Sequence, residues 1–410
     1  MPIGEAPMPI KVMHVINWLN IGGAEVMLCN LLAGTDRSRF EPVVCTLVDV
    51  MPLAGRVRAM GVPVHTLGMR PGVPDPRKVL SLARLVRSER PDVIQTWLFQ
   101  SDLIGSLAAL ISTRAPVVWG VHHTEHDPAT TRRATRLTVA ACARLSRSLP
   151  ARIVCCSEAT RRSHLRKGYA AEKMEVITNG FDVGRFRPDP LAGPSLRAEL
   201  GLGPEARLIG HVARFDPQKD HANFLNAAGL LAGRFDDLHF VLCGNDVGPG
   251  NVELMGHVAR NGLAGRCHLL GPRGDVPRVL AGLDLVCSSS FSGEAFPMIL
   301  GEAMACGTPC VTTDVGDSAA VVGPSGRVVP PRDPVALAGA WADILSLPPT
   351  GRAELGRSAR RRVEETFALP GVVRAYETLY ETVVLGRSRR ARAPGHGVGR
   401  AAAGGVPEGS

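Results

Sequence analysis

The sequence predicts an α/β protein built as two doubly wound parallel-sheet halves facing a cleft. Three observations carry this expectation. Short apolar runs alternate with stretches of helical periodicity along most of the chain, and such alternation puts helices on both faces of a parallel sheet. The alternation breaks once, after Asn179-Gly180, and then restarts. The chain has 410 residues, which at roughly 150 residues per domain leaves room for two large α/β units.

In the first half, Lys11 to Ile16 is a mostly apolar strand, and Ala24, Met27, Leu28 and Leu31 recur at the spacing of one helix face. Strands follow at Pro42 to Val48 and Val62 to Leu67, a helix at Val79 to Ser88, and a strand at Asp92 to Thr96. Leu103 to Leu110 is helical, and Pro116 to Val121 and Arg152 to Cys156 are strands. Phe181 to Gly203 is rich in proline and glycine, the composition of a linker. In the second half, strands are expected at Arg207 to Ala213, Leu238 to Gly244, Cys267 to Gly271, Leu283 to Ser288 and Cys310 to Thr313. Helices are expected at Asp220 to Leu231, Pro297 to Ala305 and Pro334 to Leu345. The resulting division is 1–190 for the first domain, 191–368 for the second, 369–386 for a closing helix and 387–410 for a disordered basic tail.

Hydrophobic residues make up 45% and charged residues 21%, the balance of a globular enzyme. Lys+Arg exceeds Asp+Glu by 47 to 38, a net charge of +9, which suits anionic partners. Aromatics at 4% are too sparse for base stacking, so no nucleic-acid partner is expected. Lys11 and the polar run Asn17 to Asn20 interrupt any secretory leader. The longest apolar run, Leu103 to Thr113, is bounded by Asp102 and Arg114 and falls short of the ~18 residues of a spanning helix. A cytoplasmic or peripheral location follows as the expectation. The ten cysteines include no Cys-x-x-Cys pair, so buried free thiols are expected, with no metal site.

Four groups of residues offer chemistry. Gly22-Gly23-Ala24-Glu25 lies where the first strand turns into the first helix. It is either an ordinary tight turn or a place where backbone N–H groups meet a phosphate. Arg214 and Lys219 stand five residues apart, expected at the end of one strand and the opening of the next helix. That edge of an open sheet is where ligands bind, so the two cations can converge on a diphosphate or be ordinary surface charges. Glu294 lies just before a helix that Pro297 should open, and Glu302 lies inside it. Two such carboxylates can bracket one ligand and accept from vicinal sugar hydroxyls. His122 and His123 follow the strand ending at Val121, as cleft residues or as structural imidazoles.

Taken together, these residues resemble the retaining glycosyltransferases of family 4, the group 1 type, which have two Rossmann-like domains in the GT-B arrangement. The most specific part is Glu294 and Glu302, separated by seven residues and followed by Ala-Met-Ala-Cys-Gly-Thr-Pro. His211-Val-Ala-Arg-Phe-Asp-Pro-Gln-Lys-Asp-His and Cys310-Val-Thr-Thr-Asp-Val-Gly-Asp-Ser look like bacterial enzymes of exopolysaccharide, capsule or lipopolysaccharide assembly.

The resemblance implies that Arg214 and Lys219 hold the donor diphosphate and that Glu294 takes donor-sugar hydroxyls, with Phe296, Pro297 and Met298 beside it. It implies that Glu302 takes the ribose, that Gly22 and Gly23 face the phosphates, and that Gly244, Pro272 and Arg273 lie on the donor side, the last two against the base. His122, with His123 as the alternative, would touch the donor sugar. The donor would be a nucleotide-diphosphate sugar, with UDP favoured over GDP. The acceptor would be a glycan, often polyprenyl-linked, and the diphosphate would be neutralised without a metal or other cofactor. The family has Gly where this chain has Ala295, a cost of about 1 kcal/mol if that position requires positive φ. Ten basic residues and one acid, Glu158, between Thr131 and Ala171 form either a solvated face or a contact with the anionic inner face of the membrane. The other classes consistent with the pattern are a nucleotide-sugar 2-epimerase and a non-catalytic nucleotide-sugar-binding assembly protein.

Overall fold

The computed structural model describes residues 8–70, 75–124 and 133–392. Among the described residues the first domain holds seven parallel strands: β1 (Ile10–Ile16), β2 (Phe40–Val48), β3 (Val64–Met69), β4 (Val93–Trp97), β5 (Val117–Val121), β6 (Arg152–Cys155) and β7 (Met174–Val176), in the order β3-β2-β1-β4-β5-β6-β7. The second holds six: β8 (Arg207–Val212), β9 (Leu238–Cys243), β10 (Cys267–Leu269), β11 (Leu285–Ser288), β12 (Cys310–Thr313) and β13 (Gly326–Val329), in the order β10-β9-β8-β11-β12-β13. Every pairing is parallel; Met13, for example, lies opposite both Val43 and Ile94. All five residues of β4 and of β5 are buried. Helices cover both faces of such a sheet, so its central strands read as continuous apolar runs. Each sheet reverses its order beside its first strand, and a crevice opens there at the carboxyl ends of the strands.

Three expectations need correction. The 181–203 segment is not a free linker. Phe181, Phe186 and Leu196 are buried, and Ala192–Glu199 is helical. The Phe181 ring stacks on Phe296 with centroids 5.9 Å apart and meets Phe367 edge-on. A Cβ on Gly301 would sit 2.1 Å from the Phe181 ring, so that glycine admits the segment onto the second domain. The apolar residues among the prolines outweigh the composition.

The second correction concerns the carboxyl end. The closing helix spans Leu369–Arg392, past the expected end at 386, because arginine and alanine sustain a helix. Residues 393–410 of the expected disordered tail lie outside the described residues. As expected, the helix crosses back to the first domain. Val372, Val373, Tyr376, Leu379 and Val383 join Val12, Leu28 and Trp97 in one core, and Tyr380 donates to Gln95 Oε1 at 3.3 Å.

Third, helices Arg133–Leu145, Glu158–Arg166 and Pro349–Thr366 had no assignment from sequence. They are rich in arginine and bury few residues; the last buries only Gly356, Ala359 and Val363, too narrow an apolar stripe to stand out. All ten cysteines are unpaired, and nine are buried.

Candidate active site

Two adjoining cavities, of about 170 and 240 Å³, lie where the two sheets' carboxyl edges face one another. Both are lined by Gly23, Lys219, Glu294 and Phe296. The smaller reaches into the second domain, along His211 to Ala213 at the end of β8 and along Pro297, Met298 and Ile299. The larger joins the domains, with His122, Cys156 and Asn179 on one side and Arg214 and Gln218 on the other.

Glu294 is the centre of the polar contacts. Its carboxylate accepts from Ser290 Oγ at 2.7 Å and forms an ion pair with Lys219 Nζ. Burial pushes this carboxyl up, but the charge and hydrogen bond of Lys219, the Ser290 hydroxyl and the charge of Arg214 outweigh it and hold the group below its ordinary value. Lys219 does not open a helix, as the sequence suggested. It closes a 3₁₀ turn, Pro217–Lys219, capped by Asp216, and Asp220 then caps helix His221–Ala232 from a left-handed conformation, φ 49°. This extra turn is what aims Lys219 back at Glu294. Arg214 lies two residues beyond β8 rather than on its last position, and pairs with Asp216 at 3.0 Å while remaining half exposed.

Pro297 was expected as the first helical residue but is the N-cap of helix Met298–Ala305, one position earlier, with φ −72° and ψ 101°. No positive φ occurs at Ala295; the left-handed residue of this loop is Gly293, φ 76°. The alanine is therefore unstrained. A Cβ on Gly293 would lie 2.7 Å from the Gln218 side chain, which accounts for the glycine.

His122 lies in the larger cavity, its ring stacked 4.9 Å from Trp97, and neither ring nitrogen has a hydrogen-bond partner among the described residues. Burial pulls its imidazole down to about 4, so it is neutral at pH 7 and can donate to or accept from a sugar hydroxyl. His123 packs instead edge-on against Phe99 and His164 and lines neither cavity.

Other expected residues stand outside the cavity walls. Gly22 adjoins Gly23, but a Cβ there would meet Glu25 Oε2 at 2.4 Å. The Glu25 carboxylate, held by Trp18 Nε1 at 2.6 Å, covers that side of the turn, leaving Gly23 as the exposed glycine of the pair. Gly244 is the close approach behind Arg214, since a Cβ would lie 2.1 Å from the Ala213 carbonyl; its N–H bonds Gly271, next to Pro272. The Arg273 guanidinium is occupied by Asp275 and Glu199, each at 2.8 Å, so only its backbone is available to a base. Glu302 lines neither cavity; burial raises its carboxyl to about 7, opposed by the charge of Arg185.

Sequence reasoning missed Ser290, Gln218, Thr124 and Asn179. Asn179 is buried with Oδ1 unpartnered among the described residues, and its position at the end of the first alternation was the one available signal.

The comparisons with known proteins bear on the family and the fold. Residues 21–185 match the model described as Glycosyltransferase Family 4, and residues 206–346 match Glycosyl transferases group 1. The chain is 26% identical over 377 residues to the putative glycosyltransferase EpsF of Bacillus subtilis, covering 88% of this chain and 92% of that protein. It is 34% identical over 196 residues to a D-inositol 3-phosphate glycosyltransferase of Mycolicibacterium gilvum, spanning 46% of this chain and only 43% of that protein's length. The UDP-bound Anabaena Alr3699/HepE structure shares the fold, with a TM-score of 0.79 at 23% identity over 91% of this chain and all of that one. With both halves matched in order by family models and the fold shared, the chain belongs to the two-domain glycosyltransferases of family 4, group 1, with the GT-B fold.

Proposed function

We propose that the protein moves a hexosyl group from a nucleotide-diphosphate sugar, UDP-linked rather than GDP-linked, to a glycan acceptor carried on a polyprenyl lipid, with retention at the anomeric carbon. The observation that carries this reading is the gathering of Arg214, Lys219 and Glu294 from one domain with His122 and Gly23 from the other around a single cleft. In the free chain Lys219 is paired with Glu294. An entering diphosphate competes for the ammonium, and Glu294 is then free to accept from the sugar hydroxyls. Arg214 and Lys219 supply the charge that offsets the leaving diphosphate, without a metal. The neutral His122 imidazole meets the sugar face. Attack comes from the side the phosphate leaves, and the phosphate takes the acceptor proton, so the protein contributes position and charge rather than a dedicated base. Glu302 and the 272–273 segment line neither cavity; their assignment to the ribose and the base rests on the family pattern alone.

One relative, 27% identical over 258 residues, is the Escherichia coli UDP-Gal:alpha-D-GlcNAc-diphosphoundecaprenol alpha-1,3-galactosyltransferase. Such acceptors sit in a membrane, and we place the enzyme at the inner face of the cytoplasmic membrane, in cell-surface polysaccharide assembly. No described helix is long and apolar enough to cross a bilayer. Helix Arg133–Leu145 instead presents Leu137, 71% exposed, among exposed Arg133, Arg136 and Arg144. A surface of leucine and arginine suits an anionic interface.

The test is incubation with a panel of nucleotide sugars and a bacterial lipid extract, in EDTA, read by mass spectrometry. A hexose added to lipid-linked glycan is expected. Isomerised donor with no acceptor product would mean an epimerase, and neither product from any donor would mean a binding protein.

A further inference from the structure

One helix of the first domain grips the second domain at two places around the donor loop. The first turn of helix Glu158–Arg166 leaves backbone N–H groups without partners inside the helix. Two of them are taken by a carboxylate from the other domain: Glu158 N–H bonds Asp317 Oδ2 at 2.9 Å and Ala159 N–H bonds Oδ1 at 2.8 Å. Asp317 is 6% exposed, and Arg162, one turn on, places its guanidinium 3.9 Å from Oδ1. The helix dipole and the guanidinium both favour the negative charge there.

The same helix reaches the donor loop by a second route. Ser163 Oγ and Lys167 Nζ both donate to the Thr124 carbonyl, at 2.8 and 2.5 Å. The Thr124 hydroxyl in turn donates to the main-chain carbonyl of Glu294 at 3.2 Å. That carbonyl also abuts Gly316, the neighbour of Asp317. Gly316 has φ 62°, and a Cβ on it would stand 2.0 Å from the Glu294 oxygen. The two routes therefore converge on one peptide group, that of the residue placed against the donor sugar.

We propose that Asp317 is a positioning residue, an interdomain latch that holds helix Glu158–Arg166, and with it His122 and Thr124, over the Glu294 loop when the cleft is closed. The role rests on the transferase reading above, because closure matters only if a donor is enclosed. The latch adds no contact to the donor itself. It sets how much of the protein is closed, and so how often His122 and Glu294 face the same sugar.

Two variants break it from opposite sides. Asp317→Asn keeps the shape but turns one accepting oxygen into a donor facing an N–H. Glu158→Pro removes one N–H at the first helical position, where proline is well tolerated. Ser157 before it is extended, φ −164° and ψ 161°, as a residue preceding proline requires. Small-angle scattering should show each variant with a larger radius of gyration than wild type at saturating UDP, while UDP affinity stays within about threefold. With a donor from the panel, kcat should fall about tenfold, which is ~1.4 kcal/mol, with KM little changed. The double variant should be no worse than Asp317→Asn alone. Wild-type scattering in both variants overturns the latch, as does wild-type kcat in an expanded protein. Lost UDP affinity with unchanged scattering would put Asp317 in the donor pocket and overturn it equally. Scattering needs no turnover, so a protein that transfers nothing refutes the transferase reading and leaves the latch measurable.

Discussion

Glu302 should cost the protein stability at neutral pH and release a proton when nucleotide binds. Its carboxyl is raised from 4.5 to about 7, by burial first, with Arg185 opposing. Because the folded-state value is the higher one, the folded state binds more protons than the unfolded state between pH 4.5 and 7. Below that window both states are protonated and no penalty exists. As pH rises through it stability falls, and above it the full penalty applies. A shift of this size, at about 1.4 kcal/mol per unit, amounts to ~3 kcal/mol. The residue keeps some accessible surface, so about 2 kcal/mol is the working figure. Glu302→Gln removes the charge. It should match wild type near pH 4.5 and raise the unfolding midpoint by about 2 °C at pH 8. Ribose hydroxyls bind best to the ionised carboxylate. Wild type, half ionised at pH 7, should therefore release up to about half a proton per UDP beyond what Glu302→Gln releases. The assays are thermal unfolding across pH 4.5–8.5 and calorimetry in two buffers of different ionisation enthalpy. Parallel stability curves would refute the burial argument, and equal proton release would refute the ribose role while leaving the burial argument standing.

Three further outcomes are expected. Lys219→Ala should lower kcat/KM by about 100-fold, near 3 kcal/mol, because it leaves Glu294 buried and unpaired as well as the diphosphate unmatched; a variant within threefold of wild type removes Lys219 from the site. Gly301→Ala should destabilise by about 1–3 kcal/mol in urea unfolding, since the new methyl would stand 2.1 Å from the Phe181 ring; an unchanged midpoint would show that the 181–203 segment is not packed as described. Sedimentation with phosphatidylglycerol vesicles should capture the protein at low salt and lose it steeply as salt rises, and equal capture by neutral vesicles would eliminate an electrostatic contact.

The two parallel sheets were legible in the chain because a strand buried on both faces has little choice of composition. Val117–Val121 and Leu285–Ser288 read as apolar runs for that reason, and both are buried throughout. Glu294, Lys219 and Arg214 were legible as chemistry because charged residues at the carboxyl edge of such a sheet point toward one crevice. The helices at Glu158–Arg166 and Pro349–Thr366 were not, since each buries a few small or polar residues and leaves arginines outside.

Local sequence determined which residues are strands, where the alternation restarts and which residue types stand at the sheet edge. Only the tertiary structure decided who meets whom. It pairs Lys219 with Glu294, residues 75 apart, and sets His122 rather than His123 in the cavity. It draws the proline-rich 181–203 segment into a core and puts Asp317 on a helix 158 residues earlier. Burial and backbone periodicity act over a few neighbouring residues and leave their mark on composition. Ion pairs, ring stacking and helix capping between domains depend on loop paths and on the angle between two separately folded sheets, and no run of adjacent residues records either.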